Sequence, residues 1–378
     1  MKKTISLLLA ATMAATSALA QNLVELDLKA KNAFLIDYKT NTVLYNKQGD
    51  EAMHPSSMSK MMTAYVVFNQ LKEGKITLEQ EFPVSIKAQK IGGSTMFLQA
   101  GYNVKVKDLL QGMIVQSGND ACITLAEGIS GSEEAFVSLM NVTAKRLGLN
   151  NTQFANATGM PDAKHLMSAR DLTKLAQALI RDFPEFYHYH QQKTFTYNNI
   201  TQPNRNTLIG ENGVDGLKTG HTEIAGYGLT ASSKINDRRV IAVVNGLSSM
   251  RQRAEEARKL LTYGHTNFHN TIAIRQGEVL GKIPVWHGKD EFVEAVANDD
   301  IVLTIPNHWH EKLLGKLEFD APIKAPITKG DKVAELVLST PLQGELRLPL
   351  YAKEGVAKTS FFGRILYGIK YYKYKFFG

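Results

Sequence analysis

The period of the hydrophobic pattern changes several times along the chain. Residues 33–38 and 42–45 are short apolar runs either side of a polar turn at Lys39, Thr40 and Asn41, and predict two strands. Residues 57–71 carry Met61, Tyr65 and Phe68 at helical spacing, after His54-Pro55-Ser56, a sequence suited to a helix start. Helical character recurs over 106–115, 121–129, 134–147 and 169–181. Strand character returns at 214–219, 227–232 and 239–245, and a helix is expected over 251–263. This order predicts an α+β fold, an antiparallel sheet with helices gathered around it.

Near residue 270 the texture changes. Residues 271–274, 279–285, 301–305, 333–338 and 345–350 are strand-like runs divided by Gly, Pro and Asn-Asp turns. They predict a small all-β sandwich domain over 271–355, read as a spacer or stand. The last stretch, 356–378, differs again. Within it Phe361, Phe362, Ile365, Leu366, Ile369, Tyr372 and Phe376 share one helical face, with Arg364, Lys370 and Lys375 opposite. The segment is too short and too charged to span a bilayer. A basic amphipathic helix with aromatic residues is expected to lie in the plane of a membrane surface, over 360–378.

The other end reads as an export leader. Lys2 and Lys3 precede a mostly apolar run over 5–15, and Ala18-Leu19-Ala20 has the small-x-small form of a cleavage site. Residues 1–20 are therefore expected to be removed, leaving a catalytic domain over 21–270. A chain of 378 residues suggests two domains, and 44% hydrophobic with 21% charged residues is a globular composition. The formal net charge of +8 suits nucleic acid or an anionic membrane. Its placement favours the membrane, because Lys358, Arg364, Lys370, Lys373 and Lys375 crowd the end and no acidic residue follows Glu354. No compact nucleic-acid motif is present.

Cys122 is the only cysteine, which excludes an intramolecular disulfide and reads as a small buried hydrophobe. His188 with His190, and His308 with His310, lack a third partner nearby, so neither a metal nor another cofactor is expected.

The candidate chemistry lies in three short motifs in a fixed order: Ser57-Met58-Ser59-Lys60, Ser117-Gly118-Asn119 and Lys218-Thr219-Gly220. A Ser followed three positions later by Lys occurs by chance about once or twice in a chain this long, so the joint order carries the weight. On a helix, Lys60 falls on the face of Ser57. A free serine is a poor nucleophile and needs a base. Lysine serves as one only if burial or a nearby positive charge, here Lys218, lowers its pKa. The helix N-terminus favours negative charge on the Ser57 oxygen. Ser117 and Asn119 on a loop could both enter one cleft, Ser117 to relay a proton and Asn119 to bond a substrate backbone. Lys218 and Thr219 on an edge strand could hold a carboxylate. Gly220 lets substrate approach the strand. The backbone N–H groups of Ser57 and His221 are candidate oxyanion donors.

With residues 54–65, 92–98, 116–122, 168–172, 204–206 and 214–222, these motifs resemble the D-alanyl-D-alanine carboxypeptidases of the low-molecular-mass penicillin-binding proteins. The resemblance extends over nearly the whole chain. It implies an exported enzyme at the periplasmic face of the inner membrane that removes the terminal D-alanine from peptidoglycan pentapeptides. It implies Ser57 as nucleophile, Lys60 as general base, and Ser117, Asn119, Lys218 and Thr219 completing a site that β-lactams acylate. Arg253 sits where relatives carry a carboxylate-binding arginine, although Ser248 to Gln252 depart from the family pattern. Thr158 stands where some relatives carry His. Three rivals remain at this point: a β-lactamase, a DD-endopeptidase, and a non-catalytic cell-shape protein. Oligomeric state is not legible.

Overall fold

The helix that follows Ser57 is buried on every side. Residues 60–68 of helix α1 (Lys60–Lys72) are all buried, so its apolar positions do not form a single stripe. Such a helix belongs to the middle of a core. The structure is a computed structural model. It describes residues 2–8 by their backbone, together with residues 26–309, 313–360 and 363. The expected cleavage site, His310 and nearly all of the expected tail helix lie outside the described residues.

The chain divides into two compact units between Thr266 and Asn267, four residues before the boundary expected at 270/271. The first unit holds a five-stranded antiparallel sheet built from β1 (Asn32–Asp37), β2 (Val43–Lys47), β3 (Val214–Thr222), β4 (Gly226–Ile235) and β5 (Arg238–Leu247), in the spatial order β2-β1-β5-β4-β3. Strand β3, which carries Lys218, is an edge. Side chains alternate across β5. Ile241 and Val243 enter the core with Met61, Val67, Leu172 and Leu175. Val240 points to the opposite face, where α5 (Met250–Thr266) lies so close that a Cβ on Gly264 would sit 3.5 Å from it. Helices thus cover both faces.

The remaining long helices are α2 (Asn119–Ser130), α3 (Glu133–Arg146) and α4 (Ala169–Asp182). Serines cap the last two. Ser132 accepts from Ala135 N and Ser168 from Asp171 N, satisfying N–H groups that have no partner within the helix. The helix expected over 106–115 is α-helical only to Gln111. It widens to a π-turn at Gly112–Gln116 before Ser117.

The second unit is all-β. It contains a seven-stranded sheet and a two-stranded sheet of Phe268–Ile274 with Ile301–Pro306. Ile283, Leu317, Leu336, Leu338 and Leu350 fill its core. The strands Phe292–Val296 and Leu314–Asp320 were not expected, because Glu294, Lys316 and Glu318 interrupt their apolar character. Lys2–Leu8, expected at the start of a leader, form an edge strand here and pair with Leu314–Asp320. An edge presents unpaired N–H and C=O groups that any extended segment can satisfy.

Candidate active site

Ser57 lies in a 3-10 turn, Ser56–Ser59, rather than in the α-helix expected from residue 57; α1 begins at Lys60. The spacing of three still brings the side chains together. Lys60 Nζ donates to Ser57 Oγ at 2.9 Å, to Asn119 Oδ1 at 2.7 Å and to the Thr158 carbonyl at 2.5 Å. Those three acceptors match the three protons of an ammonium. Lys60 is only 1% exposed. Burial pulls its pKa below the ordinary lysine range; Asp120 opposes the shift and the Arg205 charge reinforces it. Burial also pulls Lys218 well down, and repulsion from Lys60 adds to that. Lys60 and Lys218 thus repel one another, and Arg205 is a further positive neighbour of both.

Two glycines let neighbouring segments close on the Ser57 turn. Gly220 of β3 would place a Cβ 2.7 Å from the Pro55 carbonyl, so the nearest neighbour of this glycine is the Ser57 turn itself. Gly159, at φ +83°, would place one 2.1 Å from the Ser56 carbonyl. Side chains have no room at either contact. Asn156 Oδ1 holds the second segment in shape by accepting from the N–H groups of Thr158, Gly159 and Met160. The Thr158 carbonyl is thereby fixed beside Lys60.

Ser117 closes the π-turn with a left-handed backbone, φ +71°, and Asn119 is the first residue of α2 rather than a loop residue. Ser117 is buried, and its Oγ has no hydrogen-bond partner among the described residues. Asn119 uses both ends of its amide. Oδ1 accepts from Lys60, while Nδ2 donates to the Gly92 carbonyl at 2.7 Å. In this state it positions Lys60.

Asp120, which the sequence reading passed over, is buried and accepts from the N–H groups of Met96 and Leu98 at 3.0 and 3.1 Å. It fastens residues 92–98 beside the motif.

On the other flank, Lys218 and Thr219 are buried in β3, and Lys218 Nζ donates to the Thr219 carbonyl. His221 stacks on Tyr227 with ring centroids 3.8 Å apart. The Arg253 guanidinium lies over the other end of that pair, 5.9 Å from the Tyr227 ring. Arg253 is buried, and that burial, with repulsion from Arg205, brings its pKa down to about 10. Arg253 donates to the Arg205 carbonyl, and Arg205 Nε donates to the Gln116 carbonyl. Arg205 is thus a cation of the site that the motif scan did not single out. Its signal was its place in residues 204–206, one of the resembling segments.

A hollow of about 240 Å³ walled by Leu208, Val214, Ile235 and Leu261 lies at the far end of β3, away from this chemistry. Among the described residues no three or more His, Cys, Asp or Glu gather as metal ligands would. Cys122 is fully buried, and burial pushes its thiol up to about 12.

Residues 15–249 match the peptidase family described as D-alanyl-D-alanine carboxypeptidase. The chain belongs to that family. Residues 268–358 match the C-terminal domain of penicillin-binding protein 5. The chain is 39% identical to the D-alanyl-D-alanine carboxypeptidase DacC of Escherichia coli K12 over 345 residues, 89% of this chain and 86% of that protein. Penicillin-binding protein 5 from Haemophilus influenzae superposes with a TM-score of 0.82 at 35% identity, covering 89% of this chain and 99% of that one. Penicillin-binding protein D2 from Listeria monocytogenes, solved with ampicillin bound, gives 0.59 at 27% identity and covers 64% of this chain and 99% of that one. The protein is thus a serine hydrolase with D-alanyl-D-alanine carboxypeptidase activity, favoured over the lactamase, endopeptidase and non-catalytic readings.

Proposed function

We propose that Ser57 is the nucleophile and Lys60 its base, and that the pair forms and hydrolyses an acyl-enzyme on the stem pentapeptide of peptidoglycan. The observation that carries this is the three-acceptor seat of a buried Lys60. Once neutral, the amine keeps two N–H donors for Asn119 Oδ1 and Thr158 O. Its lone pair is left facing the Ser57 hydroxyl. Lys60 takes the Ser57 proton as Oγ bonds to the carbonyl carbon of the penultimate D-alanine. The N–H groups of Ser57 and His221 stabilise the oxyanion. The C–N bond then breaks, and the leaving amine receives the proton from Lys60 through the Ser117 hydroxyl. D-Alanine departs. Water attacks the ester, gives a proton to Lys60, and the ester oxygen recovers it as Ser57.

Lys218, Thr219, Arg205 and Arg253 are proposed to hold the terminal carboxylate by charge-assisted bonds. A β-lactam carries the same carboxylate beside a strained amide, so it acylates Ser57. Incubation with penicillin followed by peptide mass spectrometry tests the assignment. One adduct on the peptide bearing Ser57 supports it, and an adduct elsewhere overturns it.

We also propose that residues 1–20 direct export and are removed, and that residues 360–378 anchor the enzyme on the periplasmic face of the inner membrane. Among the described residues no helix is long and apolar enough to cross a membrane. Deleting 360–378 should release the protein from membranes with its soluble activity kept. A truncated protein that still pellets with membrane contradicts the anchor.

A further inference from the structure

Phe97 combines two features that folding alone does not reward. Its backbone is left-handed, φ +65°, a region that costs free energy for a side chain of this size. Its side chain is 54% exposed, whereas Met96 and Leu98 on either side are buried. Glycine or asparagine would hold the same turn with less strain, and a polar side chain would be better solvated.

The turn is held from several directions. Asp120 accepts from the N–H of Met96 with both oxygens, and from the N–H of Leu98. Asn119 N donates to the Ser94 carbonyl, and its Nδ2 to the Gly92 carbonyl. Gln202 donates to the Thr95 carbonyl from a separate hairpin. Gly112 lacks the Cβ that would collide with Met96. An outlier that the surroundings impose this firmly, one residue from groups bound to the catalytic motif, points to function.

Its place in the site says which function. On one flank of Ser57 is the strand of Lys218, packed on the Ser57 turn through Gly220; on another is Asn119, bonded to Lys60 and to the carbonyls of Gly92 and Ser94. A substrate whose carboxylate lies on the first flank directs the residues preceding its scissile bond toward the second. We propose that Phe97 is a specificity-determining residue, presenting an apolar ring to the methylene-rich side chain that precedes the D-alanyl-D-alanine end of the stem peptide. This rests on the placement of the carboxylate given above.

The test compares two substrates that differ only before the first D-alanine: acetyl-Gly-D-Ala-D-Ala and diacetyl-Lys-D-Ala-D-Ala. Full-length enzyme, Phe97→Ala and Phe97→Tyr are assayed for kcat/KM on both. The enzyme should prefer the lysine substrate by about five- to tenfold, the scale of burying one or two methylenes. Phe97→Ala should lose that preference while retaining its rate on the glycine substrate, and Phe97→Tyr should keep both. A preference unchanged by Phe97→Ala overturns the inference, and so does an equal fall on both substrates, which would make Phe97 a prop for the loop. Lys218→Ala keeps the two readings distinguishable. If it leaves KM unaltered on both substrates, the carboxylate placement has failed; if it raises KM while Phe97→Ala changes nothing, only the present inference has.

Discussion

Lys60 Nζ and Asn119 Oδ1 are joined by a 2.7 Å hydrogen bond that ties the first turn of α1 to the first residue of α2. This contact joins two of the three motifs and holds Lys60, the proposed base, in place. Asn119→Ala should slow penicillin acylation by about ten- to a hundredfold, the scale of a buried bond to a charged group. Asn119→Asp should act differently. A carboxylate against Lys60 favours the ammonium, so the acid limb of the acylation rate should move to higher pH. Stopped-flow acylation across pH separates the two effects.

Arg205 and Lys60 give a second prediction. The Arg205 charge helps depress the pKa of both Lys60 and Lys218. Arg205→Ala should therefore raise the pKa of the acid limb in kcat/KM. It should also raise KM about tenfold through the lost carboxylate contact, with less effect on kcat. An unshifted limb with an unchanged KM would remove Arg205 from the site.

Gly159 and Ser56 give a third. A methyl at residue 159 meets the Ser56 carbonyl at 2.1 Å on a backbone with φ +83°. Gly159→Ala should cost on the order of 2 kcal/mol or more in stability, and should slow acylation because the Ser57 turn must shift. Thermal melts and penicillin labelling check both outcomes.

The buried histidines set a pH dependence. Burial pulls both His165 and His190 down to about 4. Between pH 6.5 and 4 the unfolded chain binds protons that the folded chain refuses, so stability falls as pH falls through that window. Each group accounts for on the order of 3 kcal/mol across it. His190 packs near the rings of Phe68 and Tyr187, so an aromatic phenylalanine suits its surroundings. Urea titrations of His190→Phe should show a shallower loss from pH 6.5 to 4 than the parent. An identical slope contradicts the assignment.

Much of this fold was legible because the sheet strands and most long helices carry clear periods. Val240 to Val244 of β5 read as a strand from their β-branched residues, and α4 shows its stripe in Leu172, Leu175 and Leu179. What failed had physical reasons. Helix α1 is buried all round, so no polar face marks its start. The Ser57 turn is 3-10, which differs from α by a shift in bonding that no residue type announces. The motif residues were readable from spacing, but Asp120 and Arg205 were not, since their importance lies in contacts with residues 96–98 and 116. Gly220 also lies close to its own chain at Pro55, an approach its motif did not show. Long-range approach of this kind leaves no local periodicity.

The central claim is that Ser57, activated by Lys60, hydrolyses the terminal D-alanyl-D-alanine bond. The most direct test is D-alanine release from a stem pentapeptide by the enzyme and by Ser57→Ala. Steady release that penicillin blocks and Ser57→Ala lacks is the predicted result. Release that persists at the parental rate in Ser57→Ala, or none from an enzyme that penicillin still labels at Ser57, would contradict it.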